Sequence, residues 1–224
     1  MTRNILIISP HPDDETIGCG GIILKNKYKK NKVHCLLVTN LLEGKNISSI
    51  EIKNYNKQIR NMKALYKFDS FKQLSFPATA LDTISENSII HYMDDYIKKI
   101  KPNIVYIPFP GDIHSDHRKV FNMASSCTKS FRKPYINEVI LYEVLSETNF
   151  SINPTVGPFK PNLYEDITQF FEKKIKICNI FKSEFKTHPF PRSKDSVKAL
   201  AILRGSEAGF KYAEAFMIIK KIKK

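Results

Sequence analysis

At 224 residues, 42% hydrophobic and 26% charged, the chain is long enough for one full α/β domain, short for two, and too apolar to be disordered. Its 36 Lys and Arg against 22 Asp and Glu leave a net charge of +14, but no recognition motif accompanies the lysine clusters and no nucleic-acid partner is expected. Four cysteines without C-x-x-C spacing exclude a disulfide scaffold and fit reduced thiols in a cytoplasmic protein, and no stretch reaches the roughly 18 apolar residues of a membrane span.

Ile5-Leu6-Ile7-Ile8 is an unbroken apolar run stopped by Ser9-Pro10, the pattern of a strand covered on both faces in a parallel sheet. A helix is expected over 16–30, with Asp14 and Glu15 near its positive N-terminal end. Residues 33–39 read as the second strand. A polar loop from Glu43 to Ser49 leads into a helix over 50–66, where Ile52, Tyr55, Ile59, Met62 and Tyr66 recur at helical spacing. A short strand over 71–76 ends at Pro77, and a helix over 87–100 is closed by Lys101-Pro102. Another buried strand, 104–107, breaks at Pro108-Phe109-Pro110-Gly111; a helix over 116–131 and a strand over 138–145 follow.

This alternation predicts a Rossmann-like, three-layer αβα fold with a mostly parallel sheet. Past Phe150 the pattern changes. Asn153-Pro154, Gly157-Pro158 and Lys160-Pro161 make a loop-rich stretch, followed by helices over 167–181 and 196–204 and a strand over 212–219. No repeat or long polar linker interrupts the chain, so 1–224 reads as a single domain with an elaborated C-terminal third.

Two runs carry the chemistry. His11-Pro12-Asp13-Asp14-Glu15 follows the first strand, and His114-Ser115-Asp116-His117 follows the strand at 104–107. In the commonest strand order those two strands are neighbours where the order reverses, so both runs meet in the crevice at their carboxyl ends. His11, Asp14 and His117 form a His/carboxylate triplet of the kind a catalytic zinc uses while keeping one position open. Adjacent Asp13 and Asp14 would repel each other in a dry site unless a cation lay between them. Asp14 on the metal and Asp13 facing its water resolves that conflict. Taken singly, each run also fits an acidic helix cap; their occurrence at equivalent strand ends favours a site. Gly18, Gly20 and Gly21 do not fit the dinucleotide fingerprint and are read, with Cys19, as close helix-to-strand packing. His34 is read as a satisfied interior histidine, and the loop around His188 as a candidate border of the pocket.

Ser9 to Gly21, Asp112 to His117, Arg204-Gly205 and Tyr212 to Phe216, in that order and spacing, resemble the LmbE-like, or PIG-L, family of zinc-dependent N-acetylglucosaminyl deacetylases. The resemblance implies zinc on His11, Asp14 and His117 and a general base at Asp13. It also implies that His114 stabilises the tetrahedral intermediate. Asp116 is then expected to orient His114 and keep it charged. Arg60 is the candidate substrate contact, although Lys63 stands where the family has an acidic residue. Fe2+ and other divalent metals suit the same donors.

The implied substrate is an N-acetylated amino-sugar conjugate. The basic balance favours a phosphate-bearing one, and a homo-oligomer is left open. The rival readings are a metallo-amidase on a non-sugar N-acyl substrate and a carbohydrate- or nucleotide-binding module without turnover.

Overall fold

In the computed structural model, which describes residues 2–42 and 47–223, β1 (Asn4–Ser9) sends Ile5 and Ile7 into one core and Leu6 and Ile8 into another. Residues 43–46 of the loop expected from Glu43 to Ser49 lie outside the described residues. The same two-sided alternation runs through β4 (Ile104–Pro108) and β5 (Glu138–Tyr142). Strands with two apolar faces need helices on both sides, and the chain supplies them. On one face lie α1 (Asp14–Tyr28), α2 (Ser49–Tyr66), α5 (Phe171–Cys178) and α6 (Lys194–Ser206). On the other lie α3 (Glu86–Ile100) and α4 (Ser115–Ser126).

With β2 (Lys32–Asn40), β3 (Ser70–Pro77), β6 (Leu163–Asp166) and β7 (Ala213–Lys221), the sheet has seven strands in the order β3-β2-β1-β4-β5-β7-β6. Strands β1 to β5 are mutually parallel, and β7 runs antiparallel to both of its neighbours. The order reverses between β1 and β4, as expected, and places their carboxyl ends side by side.

Three expectations are corrected. The helix foreseen over 116–131 stops at Ser126, because the Ser125, Ser126 and Thr128 hydroxyls cap the carbonyls of Asn122, Met123 and Ser125. The helix over 167–181 divides into a 3-10 turn at Thr168–Phe170 and α5. The loop-rich stretch yields β6, a four-residue edge strand too short to declare itself by alternation.

Helix α1 is buried from Asp14 through Leu24, between the sheet and the other helices of its layer. Its glycines allow that approach: a Cβ on Gly18 would lie 2.4 Å from Tyr142 Cδ2, and one on Gly21 would lie 2.5 Å from Ile167 Cγ2. A buried ion pair also enters its backbone. Glu214 accepts the Gly21 and Ile22 N–H groups at 2.7 and 2.8 Å. Lys174, 2.7 Å from Glu214, donates to the Ile17 carbonyl, the group that the Gly21 N–H meets in an uninterrupted helix. All four cysteines are buried and unpaired. No helix among the described residues is long and apolar enough to cross a membrane.

Candidate metal centre

The turn after β1 delivers the first run. Asp13 caps α1 with φ 126°, a conformation that costs a non-glycine residue energy and that its surroundings must hold. Fully buried Glu15 helps hold it, accepting the Asp13 N–H and the Ser9 hydroxyl, both at 3.2 Å. The turn after β4 delivers the second run, with His114 as the N-cap of α4.

Ligand atoms of His11, Asp14 and His117 all lie within 4.8 Å of one another, and all three residues are buried. Asp14 Oδ2 is the hub, 3.2 Å from His11 Nδ1 and 3.1 Å from His117 Nε2. Asp14 Oδ1 and His117 Nε2 are buried with no hydrogen-bond partner. Buried polar atoms are seldom orphaned, so these two, aimed into one His/carboxylate cluster, fit a divalent metal.

The outer partners set the tautomers. His117 Nδ1 lies 2.8 Å from Asp112 Oδ2, and Asp112 is itself held by the Thr148 hydroxyl at 2.6 Å. His11 Nε2 lies 2.9 Å from Asp116 Oδ2. Each ring thus presents one nitrogen to an outer carboxylate and the other, Nδ1 of His11 and Nε2 of His117, to Asp14, where a bound metal would take the place of the inner proton. Without metal both imidazoles are held charged. Burial opposes this, but Asp116 and Asp14 raise His11 to about 9, and Asp14 and Asp112 raise His117 to about 10. Burial likewise pushes Asp14 up, but His117 and His11 hold it well below the usual carboxylate range.

The expected pairing of Asp116 with His114 is not what the structure shows. The Asp116 carboxylate serves His11 and accepts the Thr79 N–H at 2.7 Å. His114 Nδ1 instead accepts the Asp116 backbone N–H at 3.1 Å, which requires a lone pair there. Burial and the charges on His11 and His117 bring His114 down to about 4, so the expected cation becomes a neutral ring with Nε2–H free to donate. Its ring centroid lies 4.5 Å from that of His11, against the cluster.

Asp13 stands outside the triplet. Burial and Asp14 push its pKa well up, and the opposing pull comes from Arg192, whose Nη1 donates to Asp13 Oδ2 at 2.8 Å. Arg192 is fixed in turn by Glu147 at 2.6 Å and the Ser146 hydroxyl at 2.7 Å.

The arginine singled out from sequence, Arg60, is exposed on α2 and makes no hydrogen bond or ion pair with any of these residues. Sequence reasoning missed Arg192. The sequence points to its loop as a border of the pocket, but through His188, which is exposed. Asp112 lies in the second motif, and its place five residues before the candidate ligand His117 is the signal that marks it. His34 is satisfied as expected, by Ser70 and Asn4 at 2.8 Å each.

A model of the PIG-L family, GlcNAc-PI de-N-acetylase, matches residues 6–128, more than half of the chain. The chain belongs to the PIG-L family. The matched stretch carries both histidine runs and ends before Arg192 and Glu214. Diacetylchitobiose deacetylase of Thermococcus kodakarensis is 24% identical over 98% of this chain and 84% of its own length. The N,N'-diacetylchitobiose deacetylase structure from Pyrococcus horikoshii superposes with TM-score 0.76 at 24% identity, covering 96% of this chain and 83% of that one. GalB, the 4-carboxy-2-hydroxymuconate hydratase of Pseudomonas putida, superposes equally well, with TM-score 0.76 over 100% and 98% of the two chains, at 13% identity. The PIG-L fold therefore hosts more than one reaction, and the side chains of the site must separate them.

Proposed function

We propose that this chain is a metal-dependent hydrolase that removes the acetyl group from an N-acetylated amino sugar of the N-acetylglucosamine type, carried on a larger conjugate. The carrying observation is Asp13, a buried carboxylate left out of the ligand triplet and aimed by Arg192. A binding module has no use for a base in that position. Family membership and the diacetylchitobiose deacetylases among its relatives support the substrate class.

His11 Nδ1, Asp14 and His117 Nε2 would hold the metal, with zinc as the expected ion. When bound, it would polarise the amide carbonyl and lower the pKa of a water to about 7. Asp13 takes the proton of the attacking water and returns it to the departing amine, acting as base and then acid. Burial beside Asp14 makes Asp13 a stronger base than a free carboxylate, and Arg192 limits that rise and fixes its direction. His114 Nε2–H donates to the carbonyl oxygen as charge develops on it. The products are acetate and a free amino sugar.

A panel of N-acetylhexosaminides scored by free-amine release tests the reading. Asp13→Asn is expected to retain metal and fold while losing activity by on the order of 10² to 10⁴. Undiminished turnover in Asp13→Asn would overturn the assignment. Loss of metal in that variant would exchange the roles of Asp13 and Asp14.

A further inference from the structure

Because β1 to β5 are parallel, every helix between them returns to the sheet edge opposite the metal centre. Backbone bonds join the returning segments there: Lys32 N–H to Arg3, Asp69 to Val33, Asn103 to Asn4, Asn137 to Asn103 and Ile222 to Asn137. The five segments 25–32, 63–69, 94–103, 127–138 and 220–223 hold sixteen of the 36 Lys and Arg residues and four of the 22 carboxylates. Twelve of the fourteen net positive charges thus sit on about a fifth of the chain, and the rest of the molecule is nearly neutral.

All four carboxylates are already neutralised within this edge: Asp69 by Lys27, Asp94 by Lys133 and Lys98, Asp95 by Lys98, and Glu138 by Lys221. Exposed Lys29, Lys30, Lys32, Lys67, Lys99 and Lys129 have no carboxylate partner among the described residues. Helix dipoles explain a cation or two at each helix end, but Lys32 and Lys220 to Lys223 lie on strands or beyond them.

Two large aromatics project from the same edge. Tyr28 is 74% exposed at the end of α1, and Phe131 is 77% exposed between Lys129 and Arg132. Fifteen of the sixteen cations are lysine. Lysine is a hydrated point charge on a flexible stem, suited to a diffuse anionic layer, and lacks the planar fork that reads phosphates or base edges at fixed positions. Clustered lysines with interfacial aromatics are the features that hold proteins on anionic bilayers.

We propose that this edge docks on an anionic bilayer surface, its lysines among the headgroups and Phe131 and Tyr28 at the interface, with the metal centre facing the aqueous side. The inference does not depend on the reaction. It removes the basic balance as an argument for a phosphate-bearing substrate, because the charge lies at the edge remote from the site.

The chain has no tryptophan, so Phe131→Trp introduces a single reporter on the docking edge. Ile152→Trp introduces one on the 85% exposed loop tip beyond β5, on the catalytic side. With vesicles containing phosphatidylglycerol, the emission of Phe131→Trp should shift to the blue while that of Ile152→Trp stays unchanged. Combining Lys29→Gln, Lys30→Gln, Lys129→Gln and Arg132→Gln should lower partitioning by on the order of 10²- to 10³-fold. Raised salt should release the unmodified chain. Equal binding to neutral phosphatidylcholine vesicles, or a blue shift at Ile152→Trp, would overturn the proposal. So would displacement from vesicles by short duplex DNA at matched charge, which would make nucleic acid the partner.

Discussion

The pairing of Asp116 with His11 makes a quantitative claim about metal affinity. Asp116 Oδ2 receives both His11 Nε2–H at 2.9 Å and the Thr79 N–H at 2.7 Å, while Oδ1 has only the Leu81 N–H at 3.4 Å. In Asp116→Asn the amide oxygen can take the Oδ2 position and keep both close bonds. The new NH2 then faces the weak Leu81 donor, and what is lost is the charge that makes His11 a more basic ligand. Partners of this kind are worth about 10- to 100-fold in metal affinity. Asp116→Asn should fall at the low end, about tenfold or 1.4 kcal/mol in zinc Kd. Asp116→Ala, which abandons His11 and Thr79 together, should approach about 100-fold. Asp112→Asn should behave like Asp116→Asn, because it stands to His117 as Asp116 does to His11. Competition against a chromophoric chelator measures all three. An unchanged Kd in Asp116→Ala, with movement only in the basic limb of the rate profile, would refute the argument and return Asp116 to His114.

Four further outcomes follow from geometry already described. Arg192→Met removes a charge that lowers the Asp13 pKa, so that pKa should rise and the acidic limb of kcat/KM move to higher pH; Arg192→Lys should restore part of the shift. Metal loading near neutral pH should release about two protons, from His11 at about 9 and His117 at about 10, read by calorimetry in buffers of different ionisation enthalpy. Since both folded values exceed the unfolded value of about 6.5, metal-free stability should be full below that pH and decline as pH rises through about 9 to 10. Gly18→Ala forces a methyl against Tyr142 and the Glu143 carbonyl and should cost about 1 to 3 kcal/mol in thermal unfolding, whereas the same change at Gly157, with open space, costs only its φ of 72°.

The parts of the fold legible in sequence were those where periodicity and burial speak together. Ile5 to Ile8 and Ile104 to Ile107 declared buried parallel strands, and the commonest order of a doubly wound sheet made them neighbours. The last third was less legible because its chief decisions are long-range. Leu163 to Asp166 becomes a strand only because β7 lies beside it, and β7, antiparallel to both neighbours, carries Glu214 near its start to α1. In the candidate site, the residues proposed as donors come from residue types and motif spacing, and the structure brings His11, Asp14 and His117 together. Which carboxylate serves which imidazole could not be read. Asp116 is two residues from His114, yet its side chain crosses to His11, 105 positions earlier. Arg192 was hidden for the same reason: its partner lies 179 positions away.

The ion pair inserted into α1 has a consequence for the order of assembly. The tie from Gly21 to Glu214 spans 193 residues, and Lys174 reaches back 157 to Ile17. During synthesis the turn bearing Asp13 and Asp14 emerges well before β7. The amide groups one to two turns further along α1 receive their partners only when β7 arrives. Such distant closures are slow to form. A chain released at residue 128 would contain both histidine runs yet carry an α1 with two backbone donors and one carbonyl lacking these partners, and an Asp13 with no guanidinium. The candidate ligands precede β7 in the chain, and the surroundings of α1 and Asp13 are completed only from beyond residue 128.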